Sequence, residues 1–389
     1  MDSINARCFA PCPRGLESVL ERELTELGIS VTGRTEGGVS FAGTLETIYR
    51  ANLESRIASR ILHEVAQVPY RSEQDVYAAA LSLPWPQWFT PSRSIKVRVS
   101  ARHCPLKSLD FVTLRIKDAI CDKFKKMQQA RPGVDTQRPD IRIDAFLNAS
   151  HVTLYLDTSG EPLFKRGIRQ STVEAPLREN LAAGILHLAG WKGTGPLLDP
   201  LCGGGTIPLE GAMMARRIVP GLGRHFAFEK LTDFNQSLWT KLLKQAEGKQ
   251  LLTSPVPILA SDRDPLAVRI AKDHFRRAGV DRDIVLGQED LFDIVPPNEP
   301  GTLIMNPPYG VRLGTQSDLD EFYPRLGTWL KNRCIGWRVY LFTGDLRAPK
   351  LIGLAPSKRT PLFNGSLECR LYEFLIVEGG ARRRLTVPA

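Results

Sequence analysis

Short apolar runs alternate with amphipathic stretches through the second half of the chain. The runs lie at residues 195–199, 256–262, 284–292, 303–305, 338–344 and 369–377. After the second run, apolar residues recur at the spacing of a helix that buries one face, from Asp264 to about Ala278. Strands that alternate with helices in this way typically build a parallel sheet. The pattern therefore predicts an α/β fold around a sheet of about seven strands.

The first 168 residues show a different pattern, in which short strands and helices are mixed. Strands are predicted at Arg7–Ala10 and Gly38–Phe41, and a helix from about Gly15 to Leu27. A later helix has one face that is predicted to pack inward, formed by Leu114, Ile116, Ile120 and Phe124. We predict three domains, at residues 1–65, 66–168 and 169–389, of which the first two are of α+β type.

Acidic residues lie at or near the carboxyl ends of three successive apolar runs of the third domain. They are Asp199, Asp262 and Asp290, and the carboxyl ends of parallel strands are where ligands enter open α/β sheets. A carboxylate at the position of Asp262 can accept both hydroxyl protons of a ribose. Asp290 is placed to accept from an adenine amino group, with Leu291 and Phe292 lining the ring. The three acids together predict a nucleotide-type site, although Asp199 alone could be a turn cap.

A run of three glycines, residues 203–205, follows Asp199 and predicts a loop that approaches a ligand closely, because a Cβ there would clash. Thr206 is expected to cap the next helix, and Asp264 the helix that begins at Pro265. Cys202 is expected to be a small neutral side chain rather than a nucleophile. The spacing differs from Gly-x-Gly-x-x-Gly, which argues against a dinucleotide-dependent oxidoreductase.

The sequence Asn306-Pro-Pro-Tyr309 follows the fourth apolar run. An exocyclic base amine is a poor nucleophile, and two acceptors, the Asn306 side-chain oxygen and the Pro307 carbonyl, would aim its lone pair at a methyl sulfonium. Pro308 would stiffen the turn. Tyr309 would stack on an unstacked base, which is worth roughly 1–3 kcal/mol. The motif therefore predicts methyl transfer to an exocyclic amine, unless it is simply a Pro-rich turn.

Residues 176–378 resemble a class I, Rossmann-like S-adenosylmethionine-dependent methyltransferase of the N6-adenine or N2-guanine type, because these motifs occur in that family's order. The resemblance implies S-adenosylmethionine as cofactor. The cofactor contacts that it implies are Asn180, Asp199, Cys202, Gly203, Gly205, Thr206, Asp262, Arg263, Asp290, Leu291 and Asn306. One spacing departs from a minimal version of the family, because 63 positions separate Asp199 from Asp262. We expect the extra segment, near 217–255, to be an inserted helix bordering the site.

Residues 155–183 resemble the junction between a THUMP RNA-binding domain and its methyltransferase domain. The resemblance implies that Lys165, Arg166 and Arg169 hold phosphate, with a solvated turn as the alternative. Residues 176–180, including Arg178, would close over the methionine end of the cofactor. Residues 1–65 resemble the ferredoxin-like domain that precedes THUMP.

Positive charge is concentrated in the second domain. Residues 93–142 hold 13 Lys or Arg against 5 Asp, a net of +8 in a chain whose formal charge is +10. Such clustering is typical of nucleic-acid binding, although a solvated helix face is the alternative. The predicted RNA contacts on the helix are Arg115, Lys117, Lys123, Lys125 and Lys126.

These features favour an RNA guanine-N2 methyltransferase, and the whole chain resembles the bacterial THUMP enzymes that modify a guanine of 23S ribosomal RNA. The alternatives are a transfer RNA guanine-N2 enzyme, an adenine-N6 enzyme, a ribosome-assembly factor with a scaffold methyltransferase domain, and an NAD-dependent oxidoreductase. No apolar run of 18 residues or signal-peptide pattern occurs, so we expect a cytoplasmic protein without a membrane partner. The seven cysteines lack Cys-x-x-Cys spacing, so no metal site is expected.

Overall fold

The structure is a computed structural model that describes residues 6–168, 177–307 and 316–378. The elements of the first range are β1 (Ala6–Pro11), α1 (Glu17–Glu26), β2 (Ser30–Thr35), β3 (Gly38–Gly43), α2 (Leu45–Glu54), β4 (Leu62–Pro69), α3 (Glu73–Ser82), α4 (Trp85–Trp88), β5 (Ile95–Ala101), α5 (Leu109–Gln128), β6 (Ile141–Leu147) and β7 (His151–Asp157).

The remaining elements begin after the linker. They are α6 (Glu179–Leu188), β8 (Leu197–Asp199), α7 (Thr206–Ala215), α8 (Gln236–Gly248), β9 (Ile258–Asp262), α9 (Pro265–Arg277), β10 (Ile284–Gln288), β11 (Thr302–Met305), α10 (Gln316–Arg333), β12 (Arg338–Thr343), α11 (Ala348–Ile352), β13 (Lys358–Asn364) and β14 (Leu367–Leu375). Short 3₁₀ turns occur at Ala227–Lys230 and Leu291–Asp293. Over the described ranges, no helix is both long and apolar enough to cross a membrane.

The chain forms two compact units. The first contains Met1–Cys12, Leu20–Lys165 and Pro220–Ala246. Its described strands form one seven-stranded sheet in the order β2-β3-β1-β4-β7-β6-β5, in which the β5–β6 pair is parallel. Strand β4 crosses the predicted boundary at 65/66, so the first two predicted domains share a single sheet.

Helix α5 packs one face on the core of this unit. Its buried residues include Val112, Ile116, Ile120 and Phe124, which follow one another at four-residue intervals. Leu114 was predicted to lie on this face but is 51% exposed. The prediction is wrong because Leu114 is offset by two residues from the buried positions, and two residues are more than half a turn of helix.

The extra segment between Asp199 and Asp262 does contain the predicted helix, α8. Most of this segment, Pro220–Ala246, belongs to the first unit. There Phe228 stacks on Tyr49 with ring centroids 4.2 Å apart, and Trp239 meets Tyr49 edge-on at 6.0 Å. These aromatic contacts give the segment an apolar core within the first unit.

The second unit contains Pro13–Val19, Arg166–Val219 and Glu247–Ala389. Its described strands are ordered β10-β9-β8-β11-β12-β14-β13. The first five are parallel, and β14 runs antiparallel to both of its neighbours. This seven-stranded sheet confirms the predicted α/β fold. The order places the ends of β9, β8 and β11 side by side, with β8 in the middle.

Candidate active site

Polar residues end the central strands of the second unit. Asp199 is the last residue of β8 and Asp262 the last of β9, while Asn306 directly follows β11. Asp290 follows β10 by two residues. Because these four strands are adjacent and parallel, the structure places the predicted residues in a row along the carboxyl edge of the sheet.

The two aspartates at the centre of this row accept hydrogen bonds from backbone N–H groups of neighbouring loops, and Asp262 binds the glycine loop. Asp262 Oδ2 accepts from the Gly203 N–H at 2.8 Å and Asp262 Oδ1 from the Asp264 N–H at 3.0 Å. Asp199 Oδ1 accepts from the Leu201 N–H at 3.2 Å. A carboxylate offers about four acceptor positions, so Asp262 keeps room for about two further donors.

Asp199 is buried, and this determines its electrostatics. Burial raises the pKa of Asp199 well above its usual range, the negative charge of Asp262 raises it further, and the Leu201 N–H lowers it. The pKa of the Cys202 thiol is also raised, mainly by burial. A thiol with a raised pKa stays neutral near pH 7. The structure thus agrees with an inert Cys202.

The glycine loop has two positions with left-handed backbone. Gly203 has φ +53° and Gly205 has φ +78°. A Cβ on Gly205 would lie 2.6 Å from the Phe275 ring of α9, whereas a Cβ on Gly203 would meet no described atom within 4 Å. Gly205 therefore serves the packing of the loop on α9, and Gly203 faces open space where a ligand can approach.

Gly205 is also the N-cap of α7, which corrects one expectation. Thr206 was expected to cap this helix, but it is the first helical residue, and no side-chain cap bond forms. The reason is that left-handed Gly205 already occupies the cap position. The corresponding expectation for α9 is confirmed, because the Asp264 side chain accepts from the Leu266 N–H at 2.9 Å.

His274 is a site residue that the sequence did not reveal. It lies buried on α9, and its Nδ1 is 2.9 Å from the Gly204 carbonyl oxygen. A ring N–H in this position would hold the glycine loop against α9. The sequence signal for it was the four-residue spacing from buried Ile270 to His274, which placed the imidazole on the inner face of the helix.

Asp290 and Leu291 begin the 3₁₀ turn after β10. The Asp290 side chain accepts from the Phe292 N–H at 3.0 Å, and Leu291 is buried. The Phe292 ring contacts Phe322, and the Arg325 guanidinium lies 4.0 Å from its centroid. Asp290 is thus fixed by the backbone and remains partly exposed.

Asn306 carries the most informative atom of the site. Its side-chain oxygen Oδ1 is buried and accepts no hydrogen bond from the described residues. A buried acceptor without a donor costs about 1–3 kcal/mol, so such an atom at a strand end points to a donor supplied by a ligand. Pro307 is buried beside it. Pro308 and Tyr309, the other predicted residues of the motif, lie outside the described residues.

Two further residues, Asn180 and Arg263, were predicted as cofactor contacts. Asn180 is buried on α6, just after Arg178, which precedes the helix. Arg263 is exposed next to Asp262. The structure is compatible with both as ligand contacts.

The predicted phosphate-binding cluster is divided by the structure. Lys165 is 61% exposed and pairs with Glu161 at 3.0 Å. Arg166, in contrast, has a side chain that is 1% exposed and is ion-paired with buried Glu210 of α7 at 3.1 Å. The phosphate role predicted for Arg166 is therefore wrong, because the guanidinium is inaccessible and its charge is compensated internally. Arg169 lies outside the described residues.

The basic residues of α5 are accessible to different degrees. Lys125 and Lys126 are exposed in the last turn. Arg115 lies over the Tyr77 ring at 4.1 Å, Lys117 pairs with Asp118 at 2.7 Å, and Lys123 donates to the Ser82 carbonyl at 3.4 Å. All five can be reached by an approaching polyanion, since none is buried.

Comparison with known protein families supports this architecture. A family model described as "RMKL-like, methyltransferase domain" matches residues 166–373. A THUMP domain model matches residues 70–157, and one described as "RlmL ferredoxin-like domain" matches residues 7–62. The predicted resemblances to these three domain types are thus confirmed.

Individual proteins are similar over nearly the whole chain. A protein of Allochromatium vinosum named "Ribosomal RNA large subunit methyltransferase K/L" is 40% identical over 379 residues, which cover 95% of this chain and 51% of that protein. The "Putative RNA methyltransferase slr0064" of Synechocystis sp. is 37% identical over 94% of this chain and 96% of its own length. The chain thus spans about half the length of the K/L relative and nearly all of the second protein.

A solved structure agrees with these matches. The "Crystal structure of SMU.472, a putative methyltransferase complexed with SAH" superimposes with a TM-score of 0.88 at 30% identity, covering 98% of this chain and 100% of that one. The likeness includes both units. The chain belongs to the RMKL-like methyltransferase family.

Proposed function

We propose that this protein uses S-adenosylmethionine to methylate the N2 amine of a guanine in 23S ribosomal RNA. The family membership supports methyl transfer, and the name of the Allochromatium relative supports large-subunit ribosomal RNA as the substrate. The observation that carries the choice of an exocyclic amine is the buried Asn306 Oδ1, which has no donor among the described residues.

The carboxyl edge of the second sheet fits this cofactor. When bound, S-adenosylmethionine supplies an electrophilic methyl group on a positively charged sulfur. Asp262 has acceptor positions left for the ribose hydroxyls, and Gly203 leaves open space for close approach. Burial raises the pKa of Asp199, and a cationic ligand nearby would lower it again by stabilising the carboxylate. This edge of the sheet therefore favours a cation over an anion.

Asn306 would act on the base amine. Its Oδ1 and the Pro307 carbonyl accept the two N–H bonds, which draws the nitrogen towards tetrahedral geometry and stabilises the positive charge that develops there. Since both groups are acceptors, no strong general base is required. Asn306 directly follows β11, so the end of a buried strand would position it for this role.

RNA binding would rest on the first unit. Lys125 and Lys126 of α5 and Lys165 of the linker are exposed cations that suit phosphate. The target guanine must leave its stack to reach Asn306, as it must in other base-modifying enzymes.

Tritiated S-adenosylmethionine tests the proposal directly. The protein is incubated separately with 23S, 16S and transfer RNA from cells that lack it, and labelled nucleosides are identified. We expect N2-methylguanosine in 23S RNA alone. Label in transfer RNA would identify transfer RNA as the substrate, and N6-methyladenosine would identify adenine as the methylated base. Absence of label on every RNA, and on assembly intermediates tested in the same way, would contradict methyl transfer and favour a scaffold role.

A variant of Asn306 tests the mechanism. Asn306→Ala should lower kcat by roughly 10²–10³-fold, the usual loss when one group that stabilises transition-state charge is removed. Asn364→Ala changes an asparagine that ends β13 of the same sheet and serves as the matched control. Equal kcat for wild type and Asn306→Ala would contradict the role of the side-chain oxygen.

A further inference from the structure

The sheet of the first unit has one face that α3 and α5 do not cover. Strand alternation directs Ile143 and Ala145 of β6 into the core, where they are at most 1% exposed. The intervening residues point to the opposite face, which we call the open sheet face. It carries Arg7, Phe9, Glu64, Gln67, Arg98, Ser100, Asp144, Phe146, Thr153 and Tyr155.

Aromatic rings lie on the open sheet face. Phe146 lies near the end of β6, the strand next to the edge strand β5, and is 37% exposed although it is a large apolar side chain. The rings of Phe9 and Tyr155 are neighbours, with centroids 6.4 Å apart. The Phe9 ring lies over Gly38, where a Cβ would be 2.9 Å from Phe9 Cε1.

Polar groups surround Phe146. Its cross-strand partners are Ser100 on β5 and Thr153 on β7, and Gln67 is paired with Thr153 on the next strand. Ser100 and Gln67 are exposed and can donate and accept hydrogen bonds, whereas Thr153 is buried and its hydroxyl accepts from the Gln67 amide at 3.4 Å. A ring flanked by such groups suits a nucleobase, which needs a flat apolar partner for its face and hydrogen bonds at its edge.

The accessible charge on the open sheet face is positive. The Arg98 side chain is 57% exposed, whereas its partner Asp144 is 10% exposed. The Arg7 side chain is 64% exposed and its ion-pair partner Glu64 only 15%. In both pairs the carboxylate lies beneath and the guanidinium faces outward. The face is therefore complementary to phosphate rather than to a cationic or apolar partner.

We propose that the open sheet face binds an unpaired stretch of the substrate RNA, with a base stacked on Phe146 and phosphates beside Arg98 and Arg7. The proposal rests on an RNA substrate. The open sheet face would bind single-stranded RNA rather than a duplex, because a base inside an A-form helix cannot offer its face to a side chain. Aromatic residues on adjacent strands of a sheet are a known solution to this problem.

Fluorescence anisotropy with a short labelled single-stranded RNA, and with the same strand in a duplex, tests the proposal on the full chain. Phe146→Ala should weaken binding of the single strand by about 5- to 150-fold, the range for loss of one stacked base. Phe146→Trp should retain it. Binding of the duplex should change little, because the duplex does not use the ring.

Phe111→Ala is the matched control. Phe111 is 49% exposed on α5, so the substitution is the same but lies on the helix layer of the unit. We expect this variant to bind the single strand as wild type does. Wild-type affinity in Phe146→Ala, or an equal loss in Phe111→Ala, would overturn the proposal.

S-adenosylmethionine affinity is measured for every variant and should not change. Methyl transfer to 23S RNA by wild type is measured separately. Absence of transfer would count against the proposed function alone, whereas the difference between the two phenylalanine variants decides the role of the open sheet face.

Discussion

Alanine substitutions at Gly203 and Gly205 should separate ligand binding from folding within one loop. Both residues have positive φ, so each substitution costs about 1–2 kcal/mol of stability through the left-handed backbone. At Gly205 the new methyl group would also press on the Phe275 ring, at 2.6 Å. Overpacking adds about 1–3 kcal/mol, which gives a total of about 2–5 kcal/mol for Gly205→Ala.

Cofactor affinity should show the opposite order. A methyl group on Gly203 enters space that is open in the protein, so it acts only on a ligand that occupies that space. If the resulting contact costs the ligand about 1–3 kcal/mol, affinity for S-adenosylmethionine falls about 5- to 150-fold. Gly203→Ala should therefore lose affinity while losing less stability than Gly205→Ala.

Calorimetric unfolding without cofactor gives the two stabilities, and isothermal titration with S-adenosylmethionine at a temperature where both variants are folded gives the affinities. The reasoning fails if Gly203→Ala binds the cofactor as wild type does. It also fails if the two variants are equally destabilised, because the contact with Phe275 would then have no energetic weight.

Three further predictions concern charged groups. Because Asp199 has a raised pKa, the folded protein binds the carboxyl proton more tightly than the unfolded chain does. The stability of the wild type therefore falls as pH rises from about 3.8, the pKa in the unfolded chain, through the pKa in the folded protein. Asp199→Asn should remove this fall, as measured by unfolding at several pH values, and should weaken cofactor binding. Replacing Lys125 and Lys126 by Glu should weaken RNA binding. The slope of log K against log salt concentration should become shallower by roughly 0.7–0.9 for each phosphate that the protein no longer neutralises. Arg166→Ala should destabilise the protein by about 3–5 kcal/mol in calorimetric unfolding, since it breaks a buried ion pair with Glu210 by removing one member. A double replacement of Arg166 and Glu210 by Met should recover most of the loss, and additive losses would contradict the role of the buried pair.

The row of residues at the carboxyl edge could be predicted because it depends on order along the chain. Strands that alternate with helices are parallel, so residues at their ends meet at one edge whatever the details of packing. Asp199, Asp262 and Asn306 follow this rule. Their positions at the ends of successive strands were sufficient to predict that they share one edge of the sheet, without knowledge of side-chain geometry.

Properties that depend on a distant partner could not be predicted in this way. Arg166 is part of a basic cluster in the sequence, and its partner Glu210 is 44 residues away. His274 has the same sequence appearance whether it faces solvent or the Gly204 carbonyl. Strand β13 was not predicted, because Lys358, Arg359 and Pro361 interrupt the apolar pattern. Such residues are typical of an edge strand, where they discourage pairing with other chains.

The domain boundaries show the same limit at a larger scale. Motifs follow one another in linear order, and this order places residues 1–65 in one domain and 169–389 in another. Packing distributes the chain differently, because Pro13–Val19 belongs to the second unit and Pro220–Ala246 to the first. In the second unit, Leu16 lies against Gly184 of α6, so close that a Cβ on Gly184 would collide with the leucine side chain. Since α6 also carries Asn180, which we predict to contact the cofactor, a segment from the start of the chain supports the helix that holds this residue. A fragment that begins at the linker would contain every methyltransferase motif and would still lack part of the unit that holds them.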